Sequence, residues 1–364
     1  MTAAADLGIA FGRVAFVMLF VLNLGGLLTW VERKQSAIMQ DRIGANRASI
    51  LGLRIFGLFH PLADAIKMLA KEDFRPARAD GVLFGLAPFV SVFFALVAFA
   101  SIPFGDTLRV GGREIPLQAI TLDVGILYIF AMLSLGVYGV MMAGWSSANN
   151  FALLGGQRAA ALMISAEIAI GASIMGVIMV YGSLNLQDIV RGQARLLGGW
   201  LPAWGIITQP LAFVLFVTAG IAATRRIPFD TPESESEIIG YFIEYSGMKF
   251  GMFAMADFLE TVVIAGMTTS LFLGGWQIPY LGVEGFRFPW GATLALPHVA
   301  VALLQVGAFV FKVLVMIFLL MLVRWTLPRF RYDQAMRLGW LGLFPLSIAN
   351  IVITGLVLLA GKSA

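Results

Sequence analysis

Between Arg225 and Tyr245 the sequence crowds acid against base: Arg225-Arg226-Ile227-Pro228-Phe229-Asp230-Thr231-Pro232-Glu233-Ser234-Glu235-Ser236-Glu237, closing with Glu244-Tyr245. Thr231 is suited to cap a helix that Pro232 opens at its first position. On such a helix Glu233 and Glu237 stand one turn apart, and Glu244 follows seven residues later, close to the same stripe. Two carboxylates roughly 4 Å apart repel by about 4 kcal/mol at an effective dielectric near 20. One pKa unit corresponds to about 1.36 kcal/mol. Crowding of this kind raises at least one pKa, so that a proton is held near neutrality; Arg225 and Arg226 oppose the shift. A coupled group of this type can relay protons. A solvated acidic loop would have the same composition, but this one sits between two apolar segments long enough to cross a membrane.

Charges also occur inside apolar stretches: Glu167, Asp257, Glu260, Lys312 and, at the start of one stretch, Asp123. A charged group in lipid costs several kcal/mol and by default marks a protein interior or a water-filled path. Glu167 is the most central. Asp123 and Asp257 lie nearer the ends of their stretches, where interfacial water is an alternative partner, and Lys312 could snorkel.

A third group lies in the run from His60 to Asp73. Leu62, Ala65, Ile66 and Leu69 recur at helical spacing on one face, while Asp64, Lys67 and Lys71 take another. Pro61 suits a first helical turn. The pattern is that of an amphipathic helix lying on a membrane surface. Such a helix serves as an anchor or as the floor of a site that admits a lipid-like molecule.

The elements that must position these groups are transmembrane helices. Of 364 residues, 59% are hydrophobic and 13% charged, against about 45–50% and about 25% in soluble chains, and the mean hydropathy is +0.88. A stretch of about 20 apolar residues spans the hydrocarbon, and eight qualify: approximately 9–31, 82–104, 120–144, 159–182, 203–224, 252–275, 297–323 and 338–360. Each is continuous, which argues for helices rather than a β-barrel. The chain is therefore expected to be a single all-α polytopic membrane domain over residues 1–364. Its first segment reads as a retained helix rather than a signal peptide.

The loop after the first segment carries nine Lys/Arg, and the loops after the third, fifth and seventh carry one, three and four. These seventeen outnumber the seven on the other side. By the positive-inside rule the loops near 32–81, 145–158, 225–251 and 324–337 face the cytoplasm, and both termini face the opposite side. Trp200, Trp204, Trp276, Trp290 and Trp340 fall near segment ends, where interfacial placement is favoured. The net charge of +4 then reflects loop topology, and no nucleic-acid module is present. With no Cys and two well-separated His, the chain has no thiolate ligands for an iron–sulfur cluster and too few histidines for bis-His haem. Electrons, if they are involved, come from a partner.

Several of these pieces occur in order in one known family. They include Val31-Glu32-Arg33-Lys34, Asp41-Arg42-Ile43-Gly44-Ala45-Asn46-Arg47, the run from Pro61 to Lys67 with Lys71-Glu72-Asp73, Leu122-Asp123-Val124-Gly125, Gly144-Trp145-Ser146-Ser147 and Ser165-Ala166-Glu167. Further along are Arg226-Ile227-Pro228-Phe229-Asp230, Glu244-Tyr245-Ser246-Gly247-Met248-Lys249 and Arg331-Tyr332-Asp333-Gln334. Along nearly its whole length the chain resembles the family of quinone-site membrane subunits of respiratory complex I.

The resemblance implies a subunit that joins the membrane arm of a proton-translocating NADH:quinone oxidoreductase to its hydrophilic arm. It implies a bacterial inner membrane, other complex I subunits, lipid and quinone as partners, quinone as substrate, and an iron–sulfur cluster held by a neighbouring subunit. Glu32, Arg33, Arg42, Arg47, Asp64 and Lys67 then map to a quinone chamber. Glu167, Glu233, Glu235, Glu237, Glu244 and Asp257 map to an acidic path toward the pumping subunits. No metal ligands and no NADH site are expected in this chain.

The chain departs from the family pattern at Ala45 in place of Pro, Ala166 in place of Tyr and Asp257 in place of Glu. Ser134 stands where some members carry Glu, the stretch before Glu244 is one residue shorter, and the loop over 48–59 is longer. Two other classes compete: a stand-alone ion transporter, disfavoured because the halves show no internal repeat, and the membrane subunit of an energy-converting hydrogenase.

Overall fold

The computed structural model describes residues 2–110, 113–231 and 240–362. On the first-loop side, α1 (Thr2–Met39) is followed by the short helix α2 (His60–Ala70) and then α3 (Gly81–Ala98). A hairpin, β1 (Thr107–Val110) and β2 (Arg113–Pro116), leads on the opposite side to α4 (Gly125–Ser146) and the long α5 (Asn150–Tyr181). Next come α6 (Leu186–Gly192), the hairpin β3 (Leu196–Leu197) and β4 (Leu201–Pro202), α7 (Gly205–Thr208) and α8 (Pro210–Ala223). After α9 (Gly247–Phe272) the chain forms a small antiparallel sheet of β5 (Leu281–Gly282), β6 (Gly285–Arg287) and β7 (Thr293–Ala295). It ends with α10 (His298–Thr326), α11 (Tyr332–Arg337), a π turn over Leu338–Leu343, and α12 (Phe344–Lys362).

Among the described residues, seven helices are long and apolar enough to cross a membrane. The remaining expected span, 203–224, is divided: α7 and α8 meet at Gln209, whose φ of −140° and ψ of 58° break the helix. Pro210 has no N–H to continue the hydrogen-bond ladder. The broken end is held by side chains: Asn350 Nδ2 donates to Gln209 Oε1 at 3.0 Å and Gln209 Nε2 donates to Thr354 Oγ1 at 3.0 Å. These bonds satisfy the Gln209 amide itself, which would be costly to leave unpaired at membrane depth.

Several helices also outrun the hydrocarbon. α1 has 38 residues and α5 has 32, so much of the first and second expected cytoplasmic loops is helical. α3 begins crisply because Asp80 caps it, its Oδ1 accepting from the N–H of Val82 and Leu83 at 3.0 and 3.1 Å.

The axis of the bundle is α9, in which every residue from Leu259 to Phe272 is buried. A helix covered on all sides must offer small residues where its neighbours come closest. Gly266 does so: a Cβ there would stand 3.1 Å from both Ile102 and Phe99. Around it are large buried rings, among them Phe99, Phe104, Phe216, Phe272 and Phe309.

Lys312 does not snorkel. From the middle of α10 its Nζ donates to the carbonyls of Leu273, Gly275 and Gln277 at 2.7, 3.0 and 2.6 Å and sits 4.4 Å over the Trp204 ring. The cation thus pins the segment that leaves the C-terminal end of α9, beginning at its cap residue Leu273. Trp204 and the buried Trp276 are therefore packed inside, whereas Trp200 and Trp290 are exposed as expected for interfacial rings.

Lys312→Met removes all three charge-assisted bonds and leaves the carbonyls without their donor. Hydrogen bonds to charged groups contribute about 1.5–3 kcal/mol, so the variant should melt at a clearly lower temperature in detergent. A melting point equal to the parent's would refute the clamp.

Candidate functional site

Arg225 follows α8 with a φ of 55°, in the left-handed region that non-glycine residues adopt only when their surroundings require it. Its side chain is 3% exposed. Nη2 donates to Asp257 Oδ1 at 2.5 Å and to Glu260 Oε1 at 3.1 Å, while Nη1 donates to the Tyr241 hydroxyl at 3.1 Å. Asp257 and Glu260 lie three apart on α9, a spacing that puts two side chains on one helix face. Glu260 and Glu167 then line the same small void, about 20 Å³, with Thr224 and Ile264. Ser134 of α4 donates to Glu167 Oε2 at 2.6 Å. Glu167 is half-buried against protein, not set out in lipid.

Arg226 points the other way. Its Nη1 pairs with Glu32 Oε2 at 3.2 Å, and its guanidinium lies 4.3 Å over the Phe258 ring. Arg324 of α10 pairs with the other Glu32 oxygen at 3.2 Å. One carboxylate on α1 is thus gripped by cations from the segment after α8 and from α10. The next residue, Arg33, binds Asp64 of α2 at 2.7 Å. Asp230 and Pro228 anchor the same segment: Arg329 pairs with Asp230 at 3.0 Å, and the Phe330 N–H donates to the Pro228 carbonyl at 2.8 Å.

The first loop is stapled to the start of α9. Lys249 pairs with Asp73 at 2.7 Å, and Ser246 Oγ donates to the Glu72 carbonyl at 2.8 Å. Gly247, with φ 57°, sits where a Cβ would meet the carbonyls of Lys71 and Met68 at 3.3 Å. The Tyr245 ring stacks on Phe84 at 4.0 Å, and its hydroxyl shares a 3.2 Å hydrogen bond with Ser146. Burial pushes that hydroxyl up to about 12, so it keeps its proton through the neutral range and does not titrate there.

The surface helix α2 has no buried residue. Leu62, Ile66 and Leu69 are exposed, while Asp64 and Met68 turn toward the protein. The apolar stripe read from the sequence is therefore an uncovered face.

The expected site residues divide accordingly. Glu32, Arg33 and Asp64 are drawn into ion pairs. Arg42, Arg47 and Lys67 are exposed, and none of the three has a carboxylate partner among the described residues; Arg42 Nε donates to Gln40 at 2.7 Å. Asp257 lies well inside α9, away from its end. Asp123 is exposed. Glu233, Glu235, Glu237 and Pro232 lie outside the described residues.

Glu244 is not on a helical stripe. Residues 241–244 form a turn, and Glu244 Oε1 accepts from Asn149 Nδ2 at 2.7 Å. Asn149 is also the cap of α5. Glu260, Arg225, Arg226 and Arg324 belong to the charge chain although the sequence reading left them out of the site. The signals were the three-residue spacing of Asp257 and Glu260 within an apolar stretch and the adjacent arginines that close another; nothing local marks Arg324.

The family model described as NADH dehydrogenase matches residues 12–355. A protein of Geobacter metallireducens, named as a subunit of NADH-quinone oxidoreductase, is 43% identical over 357 residues, covering 98% of each chain. The like-named protein of Thermomicrobium roseum is 44% identical over 356 residues, 96% of each. That of Cytophaga hutchinsonii is 44% identical over 332 residues, 91% of each. With its apolar helices and its full-length match to these proteins, the chain belongs to the NADH dehydrogenase family, as a multi-pass membrane subunit of NADH-quinone oxidoreductase, or complex I.

Proposed function

We propose that this chain supplies the membrane wall of a quinone chamber and the acidic path that couples quinone reduction to proton translocation in complex I of a bacterial inner membrane. The Arg33–Arg78 loop would face the cytoplasm and both termini the periplasm. The observation that carries the reading is a run of paired charges that leads from the exposed Arg33 into the protein interior. From Arg33–Asp64 it runs through Glu32, Arg226 and Arg324, and from the adjacent Arg225 through Asp257 and Glu260 to Glu167. A change of charge near α1 and α2 acts on Glu32 and its two arginines. The sequential Arg225 and Arg226 face opposite ends of the chain, so movement of one displaces the other.

The path has a chemical rationale. Among the described residues around Arg225 and the void, one cation faces three carboxylates, Asp257, Glu260 and Glu167. Carboxylates held together in a medium of low dielectric exchange protons readily. A negative charge arriving on quinone favours proton uptake by the group, and its departure favours release. The quinone site would be completed by the hydrophilic partners. With no Cys in this chain, the iron–sulfur cluster that delivers electrons would be held by one of them, and NADH would be oxidised elsewhere in the complex.

Arg33→Ala tests the chamber. Removing the partner of Asp64 loosens the junction of α1 and α2. Quinone reductase activity of the assembled complex should fall, while electron transfer from NADH to a soluble artificial acceptor stays at the parent's rate. Equal loss of both activities in a fully assembled complex would refute the assignment.

A further inference from the structure

On the side of the membrane opposite the first loop, Arg13 stands in α1 twenty residues before Arg33. At 1.5 Å per residue that separation is about 30 Å, the thickness of the hydrocarbon layer. Arg13 is therefore at the depth where phospholipid headgroups begin. Three other cations on this face have carboxylates: Arg113 pairs with Asp6 at 3.2 Å, Arg109 with Glu114 at 3.0 Å and Arg191 with Asp106 at 2.6 Å. Arg13 has none among the described residues. Its one hydrogen bond is a long one, from Nη1 to the Gln118 carbonyl at 3.5 Å, and its Nε is buried without a partner.

Beside it runs a groove of about 300 Å³, at the lower end of ligand-sized cavities. Its walls are apolar: Phe16, Val17, Phe104, Leu117 and Val306, with Gly12 leaving the floor open because no atom lies within 4 Å of where its Cβ would stand. Gln118, 3% exposed, also lines the groove, and its Oε1 is buried with no hydrogen-bond partner. The site thus offers a cation lacking an anion, an acceptor lacking a donor, and an apolar channel leading away from both.

We propose that this groove is a specific site for one phospholipid of the leaflet opposite the Arg33–Arg78 loop. Its phosphate pairs with Arg13, a headgroup hydroxyl or ammonium donates to Gln118 Oε1, and an acyl chain lies along Phe16 and Val306. The chemistry distinguishes headgroups. Phosphatidylglycerol and phosphatidylethanolamine carry both a phosphate and a hydrogen-bond donor. Phosphatidylcholine has the phosphate but no donor, and would leave Gln118 unsatisfied, a costly outcome for a buried acceptor. Replacement of Arg13 by a neutral residue removes a charge-assisted contact, which corresponds to roughly tenfold weaker binding.

The test uses the assembled complex in nanodiscs of equal parts phosphatidylglycerol and phosphatidylcholine, with a photoactivatable acyl chain on one lipid at a time. Peptides covering residues 6–20 are then mapped for label. The proposal expects preferential labelling by phosphatidylglycerol, reduced roughly tenfold in Arg13→Gln, retained in Arg13→Lys and lost in Gly12→Leu, which fills the groove while keeping the charge. Gln118→Leu should narrow the preference between the two lipids. Equal labelling by both lipids in the parent complex, or labelling unchanged in both Arg13→Gln and Gly12→Leu, would show ordinary annular lipid and overturn the proposal. Because the readout is bound lipid, it is independent of quinone chemistry.

Discussion

Replacing Arg225 by methionine is expected to remove most of the assembled protein from the membrane. The guanidinium is the shared partner of Asp257, Glu260 and Tyr241, and the side chains of both acids are nearly buried. Removing one member of a buried ion pair costs about 3–5 kcal/mol, since the remaining charge has neither water nor counterion. Here two carboxylates lose their cation together. A typical folded domain is stable by only about 5–15 kcal/mol, so the loss is a large fraction of the whole. Arg225→Lys should rescue in part: it restores charge, but a single ammonium does not reproduce the fork that reaches Tyr241 on one side and both acids on the other. The triple variant Arg225→Met, Asp257→Asn, Glu260→Gln should restore assembly, because the two acids that Arg225 holds are then neutral as well. The measurement is the amount of intact complex extracted with a mild detergent. Normal assembly of Arg225→Met alone would mean that the acids are already neutral in the native state, and the ion-pair description would fail.

The spans, the surface helix and the pairing of motifs were legible to different degrees, for physical reasons. Apolar runs of membrane length report a bulk property, so the helices could be read directly. The exception is instructive. Residues 203–224 are as apolar as the others, but the break at Gln209 depends on Pro210 together with Asn350 and Thr354, which lie 141 and 145 residues away, and no local pattern records that partnership. The amphipathic stripe on α2 was legible because helical spacing is local. Which face meets the protein was not, since that is set by Arg33 holding Asp64 and by Met68 lying against Gly251.

The acidic constellation shows the same limit. The sequence places Arg225 and Arg226 beside a run of glutamates and suggests that they moderate it. In three dimensions their named partners are Asp257, Glu260 and Glu32, reached because Arg225 takes a left-handed backbone conformation and sends two consecutive side chains in opposite directions. Glu260 was visible as an intramembrane charge, yet nothing in its neighbours along the chain marks it as the residue that bridges Arg225 to the void beside Glu167. Lys312 gave the clearest reversal. A lysine in an apolar segment suggests snorkelling, but the carbonyls it satisfies lie in the segment that follows another helix, α9.

If the path runs as proposed, Glu167→Gln and Glu260→Gln should each separate proton translocation from quinone reduction. Both substitutions keep the shape of the side chain and remove its exchangeable carboxyl proton. In Glu260→Gln, Asp257 remains to neutralise Arg225, so assembly should persist where Arg225→Met fails. The void shared by the two acids, about 20 Å³, is of the size that admits a single water, which needs roughly 10–15 Å³ and two or more polar partners; Glu167, Glu260 and Thr224 line it. Proton exchange between the acids would then pass through one water, and loss of a positioned proton-transfer group slows such a step by on the order of a hundredfold. In proteoliposomes the protons moved per electron should therefore fall steeply, while quinone reduction measured with an uncoupler present stays within about twofold of the parent, because the chemistry at the chamber is untouched. Ser134→Ala provides the graded case: it removes only the donor to Glu167 Oε2, so its defect should be smaller and in the same direction. Either glutamine variant assembling fully and translocating protons at the parent's ratio would assign that carboxylate a structural role. The same result in both variants would remove the path from the void altogether and leave Arg225 and its two acids as a purely structural pin.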